Sequence, residues 1–194
     1  MVVVLLATLA AGCAPAPPPA TASGSPFHSE RKQWVHLSPV MREHIDRAVA
    51  GMEGPWLVIL HSTGSEGGSV AALEDYHRRV KGDPLGIPYP FLVGNGRGMA
   101  DGRIHLSARL DTFRDEVAKA GATPQAALAI GLVGDGNRAP PTPAQLAATD
   151  EILDYLAAKA GRLRVRLHRE TGESPRACPG KLFPVKELRQ AYPD

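Results

Sequence analysis

Two uninterrupted apolar runs constrain the fold of this chain more than any other feature of its sequence. Residues 56–60 read Trp-Leu-Val-Ile-Leu between Pro55 and His61, and residues 127–133 form a second such run. A short apolar run bounded by turn-forming residues is typical of a buried strand. Helical patterns alternate with these and other predicted strands. We therefore expect an α/β fold, a single domain with a central mixed β-sheet flanked by helices.

The best-marked helix extends over residues 142–160. Thr142 can be its N-cap, a proline follows at the first helical position, and Gln145 completes a capping box. The Ser-Pro pair at residues 38–39 predicts another helix, over residues 39–50. Apolar periodicity and turn residues predict the remaining elements: helices over residues 70–80 and 186–192, and strands over residues 91–93, 103–107 and 163–167.

The strands over residues 91–93 and 103–107 are predicted to form a hairpin. Asp101 and Gly102 lie between them, and this dipeptide is a turn signal. Pro90 has no backbone donor, which favours an edge position for the strand that follows it.

Length and composition fit one globular domain of ordinary size. The chain has 194 residues, of which 43% are hydrophobic and 22% charged, so it is long enough to bury its own core. The 22 basic and 20 acidic residues give a net charge of +2, with no block of like charge. Nothing in this pattern argues for nucleic acid as a partner. We expect a monomer.

The N-terminal residues predict export and a membrane anchor. Residues 1–12 are small and apolar, resemble the core of a secretory signal, and are too few to span a bilayer as a helix. They lead into Leu-Ala-Ala-Gly-Cys at residues 9–13, which resembles a bacterial lipobox with Cys13 as the acylated residue. No Lys or Arg precedes the apolar stretch, so a plain cleaved signal or an apolar tail is the alternative.

Downstream of Cys13 the sequence predicts a tether and then a folded domain. Residues 13–33 include a proline-rich stretch with too little apolar bulk to fold. Residues 34–194 remain for the domain. We expect a lipoprotein of the cell envelope, anchored to a membrane through Cys13, on the periplasmic side of the outer membrane.

Three residues from separate parts of the chain are candidate metal ligands. His61 ends an apolar strand, His168 follows another, and Cys178 lies ten residues after His168. A catalytic zinc ion takes three such protein ligands and leaves one coordination position open. The alternatives are hydrogen-bonded structural histidines and a buried thiol that packs as a small apolar group.

Several sequence blocks, in order, resemble one family. They are Ile-Leu-His-Ser-Thr at 59–63, Tyr-Pro-Phe-Leu-Val-Gly-Asn-Gly at 89–96, Asp-Gly-Arg-Ile at 101–104, Ile-Gly-Leu-Val-Gly-Asp at 130–135, Pro-Thr-Pro-Ala-Gln at 141–145, His-Arg-Glu at 168–170 and Ala-Cys-Pro-Gly-Lys at 177–181. The family is the zinc-dependent N-acetylmuramoyl-L-alanine amidases, of the type shared with phage lysozyme-like amidases and peptidoglycan recognition proteins. The resemblance extends from about Trp56 to Pro184, and it implies an amidase/peptidoglycan-recognition-like fold.

The resemblance also implies roles for particular residues. Zinc would be held by His61, His168 and Cys178, with water in the fourth position. Tyr89 takes the position of a catalytic tyrosine whose hydroxyl would hydrogen-bond the attacking water or the developing oxyanion. Arg176 falls where many relatives carry a lysine. A guanidinium can stabilise an oxyanion but cannot donate a proton near neutral pH, so the proton donor to the leaving amine stays unassigned.

We therefore predict hydrolysis of the amide between N-acetylmuramic acid and the L-alanine of the peptidoglycan stem peptide. The partner would be peptidoglycan or its muropeptide fragments. One alternative is a non-catalytic peptidoglycan-binding module, although such relatives usually lack the cysteine ligand. Another is a cysteine hydrolase with Cys178 as nucleophile and His168 as base. We interpret His77, His105 and Lys181 as surface residues. The alternatives are a place in the substrate groove for the two histidines and a contribution to catalysis for Lys181.

Overall fold

The computed structural model describes residues 25, 27, 33–119, 127–172 and 177–193. The predicted signal segment, Cys13 and Arg176 lie outside these residues. Within the described ranges, a five-stranded mixed sheet is flanked by helices, which confirms the predicted α/β architecture. None of the helices in that part of the chain has both the length and the apolar composition that a membrane span requires.

The elements follow the predicted order closely. The strands are β1 (Trp56–Ser62), β2 (Phe91–Val93), β3 (Ile104–Leu106), β4 (Ala127–Leu132) and β5 (Leu163–Leu167). The helices are α1 (Pro39–Ala48), α2 (Val70–Asp75), α3 (Ala108–Lys119), α4 (Pro143–Ala160) and α5 (Val185–Ala191). A π-helical turn (Tyr76–Val80) continues α2, and a 3₁₀ turn (His168–Glu170) follows β5.

The strands are arranged in the order β3-β2-β4-β1-β5. β1 runs parallel to both β4 and β5, and β2 runs parallel to β4, whereas β3 is antiparallel to β2. The predicted hairpin is therefore confirmed. The edge position inferred from Pro90 is wrong, because β2 has a partner on each side. Pro90 precedes the strand, where no ladder donor is needed, and its carbonyl accepts the Ser107 N–H at 3.0 Å.

The main apolar core lies against one face of the sheet. Alternate residues of the three adjacent parallel strands β1, β4 and β5 are buried in it: Val58 and Leu60, Leu128 and Ile130, Val165 and Leu167. Phe27 is 2% exposed and packs on Phe183 and Tyr192, with ring centroids 6.3 and 6.4 Å away. One residue of the predicted tether thus belongs to the core.

The same alternation turns the other residues of these strands to the opposite face. β1 alternates between buried and half-buried residues as far as Leu60, and His61 lies on the half-buried side with Ile59. A smaller apolar cluster under α2 covers one end of that face, formed by Leu73, Ile87, Leu92, Met99 and Val133. The rest of the face is open enough for polar side chains to gather there.

Gln145 connects α4 to the ends of two strands. The predicted capping box is present: the Thr142 hydroxyl accepts the Gln145 N–H at 3.0 Å, and Gln145 Oε1 accepts the Thr142 N–H at 3.2 Å. The buried amide Nε2 of Gln145 also donates to the carbonyls of Val93 and Val133 at 3.0 and 2.9 Å. The start of α4 is therefore fixed beside the C-terminal ends of β2 and β4.

Helix α3 was not predicted from the sequence. Its apolar residues Leu110, Phe113 and Val117 recur at the i, i+3 and i+7 spacing of a helix, a pattern that the sequence analysis overlooked, and Leu110 and Phe113 are buried. Ser107, which the sequence prediction placed in a strand, marks the helix start instead. Its hydroxyl accepts the Arg109 N–H at 3.2 Å and donates to the Tyr89 carbonyl at 2.7 Å. The strand and the helix meet there without a linker.

We expect Asp46 to make a small contribution to the stability of the fold that depends on pH. Burial alone would raise the pKa of Asp46, but Lys159 Nζ and the Tyr155 hydroxyl, each 2.8 Å from Oδ1, outweigh it and lower that pKa. A group whose folded pKa is lowered stabilises the fold above its unfolded pKa, and this stabilisation is lost as the pH falls. We expect Asp46→Asn to lower the free energy of unfolding by less than about 1 kcal/mol at pH 7, because the pair is partly exposed.

Urea unfolding of wild type and Asp46→Asn at pH 7 and at a series of lower pH values checks this. The difference between the two proteins should shrink as the pH falls, because the wild-type carboxyl then becomes protonated. Lys159→Met should reproduce the loss at pH 7. A difference that is equal at all of these pH values would contradict the assignment.

Candidate metal centre

The parallel pairing of β1 and β5 brings His61 and His168 together. Leu60 pairs with Leu167 in register, so the next residue of each strand emerges at the same edge of the sheet. The two imidazole rings lie 4.3 Å apart between centroids, at 40° to each other. Both side chains are half-buried. Residues separated by more than a hundred positions thus share one site.

Cys178 is brought to the histidines by backbone hydrogen bonds. Its carbonyl accepts the Arg169 N–H at 2.9 Å, which folds the loop back onto the 3₁₀ turn after β5. Its Sγ accepts the Ser62 N–H at 3.3 Å. The donor atoms of His61, His168 and Cys178 all lie within 4.8 Å of one another. The structure therefore brings together the three residues that the sequence singled out.

A second set of contacts fixes the far side of the cysteine loop. Leu182 N–H donates to the Gly136 carbonyl at 3.0 Å, and Lys181 N–H donates to Asn137 Oδ1 at 3.1 Å. The two segments are so close that a Cβ on Gly136 would lie 2.1 Å from the Pro179 carbonyl oxygen. The Lys181 side chain itself is exposed, as predicted. The loop after β4 thus supports the loop that carries Cys178.

The donor set fits zinc. Zinc binds thiolate at about 2.3 Å and imidazole at about 2.0–2.1 Å, so two such ligands lie at most about 4.4 Å apart. Donor atoms within 4.8 Å of one another need only small side-chain rotations to reach this spacing. The Ser62 N–H donates to Sγ at 3.3 Å and helps to hold the sulfur in this position. Burial, and then the neighbouring His168, lower the pKa of His61 to about 4, so this imidazole is neutral at pH 7.

Tyr89 lies beside this triad. Its ring is 5.2 Å from that of His61, at 41°. It packs over the backbone of Gly131, which pairs with His61 across the sheet, and a Cβ on Gly131 would lie 2.3 Å from Tyr89 Cδ2. Burial, and then the charge of Cys178, raise the pKa of Tyr89 to about 12. The hydroxyl is therefore a hydrogen-bond donor at neutral pH.

Hydrogen bonds and an ion pair hold the loop that precedes Tyr89. Arg78 donates to the carbonyls of Pro84 and, at 3.4 Å, Leu85. Asp83 forms an ion pair with Arg109 and accepts the Leu85 N–H at 3.0 Å. Together with the Ser107 hydroxyl, which donates to the Tyr89 carbonyl, these contacts determine where the tyrosine ring lies.

A cleft of about 320 Å³ opens beside the triad. Ser62 and Pro179, the neighbours of two candidate ligands, are among its lining residues. Charged residues of both signs also line it, and Glu66 accepts from Arg138 at 2.9 Å. The polar lining comes from loops that only the fold brings together: Glu66, Asn95, Arg97, Asp135 and Arg138.

His77 lies beside Tyr89, whereas His105 lies on β3. His77 is half-buried, and its ring lies 6.5 Å from that of Tyr89 at 80°, so it borders the site more closely than a surface residue would. Burial lowers the pKa of His77, with Asp83 and Glu74 opposing this and Lys81 and Arg109 adding to it. His105 is half-buried on β3, opposite Leu92. Burial lowers its pKa as well.

Sequence reasoning missed two supporting features of the site. Gly131 leaves room for the Tyr89 ring, and the only signal was a glycine within a strand, which often marks the close approach of another group. The Ser62 N–H that donates to Cys178 carries no signal at all, because every residue except proline has such a group. Arg176, predicted to act here, lies outside the described residues.

Comparisons with known proteins identify the fold. Neither a protein-family model nor a curated protein matches the chain. The N-acetylmuramoyl-L-alanine amidase endolysin LysCS from Clostridium intestinale URNW superposes with a TM-score of 0.54 and 19% identity, over 71% of this chain and 83% of that chain. The Ph2119 endolysin from the Thermus scotoductus MAT2119 bacteriophage Ph2119 superposes at 0.50 with 24% identity, over 73% and 87%.

A third match is to peptidoglycan recognition proteins. The ectodomain complex of the peptidoglycan recognition proteins PGRP-LCa and PGRP-LCx, with tracheal cytotoxin bound, superposes with a TM-score of 0.51 and 20% identity, over 71% of this chain and 81% of that chain. This chain therefore has the fold of the phage N-acetylmuramoyl-L-alanine amidases and the peptidoglycan recognition proteins. At these identities the likeness is one of fold, and it confirms the fold that the sequence resemblance implied.

Proposed function

We propose that this chain is a zinc-dependent N-acetylmuramoyl-L-alanine amidase. The observation that carries the proposal is the convergence of His61, His168 and Cys178 at the end of β1 and β5. Two imidazoles and one thiolate form the three-ligand set of a catalytic zinc site, in which one position stays open. The fold, shared with amidases and with proteins that bind peptidoglycan, supports the same conclusion.

Tyr89, Arg176 and the neighbouring cleft would each have a separate role in the reaction. Bound zinc lowers the pKa of a coordinated water to about 7 and polarises a carbonyl. Tyr89, 5.2 Å from His61 between ring centroids, donates a hydrogen bond to the substrate oxygen as that oxygen gains negative charge. The neighbouring cleft holds the part of the substrate that carries charges and amides. Arg176 remains a predicted second stabilising group.

Cleavage of muropeptides with and without metal tests the proposal. The purified full chain is incubated with N-acetylmuramoyl-peptides, then with a chelator, and then with zinc restored, and the products are followed by mass spectrometry. We expect release of free stem peptide that stops with the chelator and returns with zinc. Binding without cleavage under every metal condition would leave a recognition module. Cleavage that ignores the chelator would indicate Cys178 as a nucleophile.

Tyr89→Phe is expected to lower kcat by on the order of a hundredfold while zinc content stays at the wild-type level. The change removes one donor to the developing oxyanion and leaves the ring in place. Gly131→Ala should have a similar effect on kcat, because the new methyl group displaces that ring. Kinetics on a muropeptide and metal analysis of both variants provide the check. A wild-type kcat in Tyr89→Phe would remove the tyrosine from the mechanism.

We also propose that the protein is anchored through a lipid on Cys13 in the bacterial envelope. The support is the lipobox-like sequence at residues 9–13, followed by a proline-rich stretch. Metabolic labelling with a fatty acid is expected to mark the wild type and not Cys13→Ser. Equal labelling of both proteins would contradict the anchor.

A further inference from the structure

Arg169 lies directly after one candidate zinc ligand and contacts the loop that carries another. Its backbone N–H donates to the Cys178 carbonyl at 2.9 Å, and its guanidinium Nη1 donates to the Gly180 carbonyl at 2.8 Å. The residue is half-buried, and no carboxylate among the described residues forms an ion pair with it. The side chain therefore holds the cysteine loop from the His168 side.

The 3₁₀ turn that carries His168 is itself held in place. The Thr171 hydroxyl donates to the His168 carbonyl at 2.8 Å. Glu170 Oε2 accepts the Leu167 N–H at 2.8 Å and also accepts from Arg189 Nη2 at 2.5 Å. Because Arg189 belongs to α5, this pair joins the turn to a helix of the core. The turn is therefore a fixed support.

Gly180, the residue that the guanidinium binds, has little room to move. Its φ is +127°, and a Cβ there would lie 2.1 Å from the carbonyl carbon of Gly136. The loop after β4 thus confines Gly180, and the Arg169 guanidinium binds its carbonyl. A hydrogen bond with a charged partner is about twice as strong as a neutral one. We therefore expect this bond to determine where residues 178–180 lie.

The position of this segment matters because a metal requires a fixed spacing of its ligands. The donor atoms of His61, His168 and Cys178 lie within 4.8 Å of one another, whereas bound zinc needs about 4.4 Å or less. Small movements of Cys178 relative to His168 therefore change how well the three donors fit the ion. Groups that orient metal ligands without touching the metal commonly change its affinity by about 10–100-fold.

We propose that Arg169 is a positioning residue of the zinc site, which sets the distance between the Cys178 thiolate and the His168 imidazole. The inference rests on the proposed zinc amidase function. Any residue except proline could supply the backbone bond to the Cys178 carbonyl. The bond to the Gly180 carbonyl needs a long side chain that ends in a donor, and arginine supplies one that keeps its charge at every physiological pH.

Arg169→Met tests the proposal, because it keeps an unbranched apolar side chain and removes the donor. The zinc affinity of the full chain is measured by competition with a chromophoric chelator. We expect Arg169→Met to bind zinc about 10–100-fold more weakly than the wild type does. Arg164→Met, a change at an exposed arginine of β5, is the matched control and should retain the wild-type affinity. Arg169→Lys, which restores a donor, should recover part of the loss.

A spectroscopic measurement separates positioning from a general contribution to stability. Cobalt(II) in place of zinc absorbs in a band that reports coordination by a thiolate. Arg169→Met should weaken this band, and Arg164→Met should not. Urea unfolding of the metal-free proteins shows whether each variant folds. A merely structural role would lower the stability of metal-free Arg169→Met and leave its zinc affinity and cobalt spectrum unchanged.

The positioning role is overturned if Arg169→Met binds zinc as tightly as Arg164→Met does, or if the wild type binds no zinc. The two proposals fail separately. A zinc affinity that depends on Arg169, in a chain that cleaves no muropeptide, supports the positioning role and rejects the amidase. Cleavage by a chain whose zinc affinity is indifferent to Arg169 does the opposite.

Discussion

Cys178→Ala is expected to produce a folded protein without bound zinc and without amidase activity. The variant removes one of three protein ligands, and the remaining two histidines leave two positions of a tetrahedral site unfilled. Loss of a single supporting hydrogen bond around a metal ligand costs about 10–100-fold in metal affinity or activity. Loss of the ligand itself should exceed that. Zinc affinity is measured by competition with a chromophoric chelator, and activity by release of stem peptide.

Ala177→Ser is the matched control for this change, because Ala177 is exposed and is not one of the three candidate ligands. It should retain zinc at the wild-type ratio. The cysteine-nucleophile alternative predicts a different pattern, in which Cys178→Ala loses activity but the wild type keeps it in chelator. Retention of zinc and activity by Cys178→Ala would overturn the metal centre.

Glu151→Ala is expected to be the most destabilising of the variants considered for this chain. Glu151 is 0% exposed within α4. Its Oε1 accepts the Val35 N–H at 2.9 Å, and its Oε2 accepts the N–H groups of His36 and Leu37 at 2.7 and 3.0 Å. These bonds attach the segment before α1 to the core. Alanine leaves three backbone donors without their acceptor and opens a cavity.

The expected loss is about 3–5 kcal/mol of unfolding free energy, because each buried donor left unsatisfied costs about 1–3 kcal/mol and two of the three are only partly buried. That corresponds to a fall in Tm on the order of 10 °C for a chain of this size. Urea and thermal unfolding measure both quantities. Glu43→Ala is the control, because Glu43 is a 71% exposed glutamate whose pair with Arg47 is worth about 0.3–0.5 kcal/mol. Equal losses in the two variants would contradict the anchoring role.

Much of the fold was predictable because its signals are local. A proline at the first helical position after Ser38, and the capping box of Thr142 and Gln145, specify where α1 and α4 begin. Such signals act over three or four residues and do not depend on the rest of the chain. Helix α3 begins with neither a proline nor a capping box. The Ser107 hydroxyl at its start accepts the Arg109 N–H of the helix and also donates to the Tyr89 carbonyl.

The candidate ligands were also predictable, but for a different reason. His61, His168 and Cys178 lie in sequence blocks whose residue types and order resemble those of zinc amidases, and the strands before the two histidines pair in parallel. Their roles remain a proposal, whereas their convergence is a property of the structure. The edge position inferred from Pro90 failed because a proline before a strand does not interrupt its ladder.

The sequence by itself determined the types and order of the elements and the residues able to bind a metal, because periodicity, capping and ligand chemistry belong to single residues and their near neighbours. Only the tertiary structure decided what surrounds those residues. Gly131 lies under Tyr89, the Ser62 N–H donates to Cys178, and the His77 ring lies 6.5 Å from that of Tyr89. Each of these depends on strand register and loop packing, which arise from contacts between segments far apart in the chain.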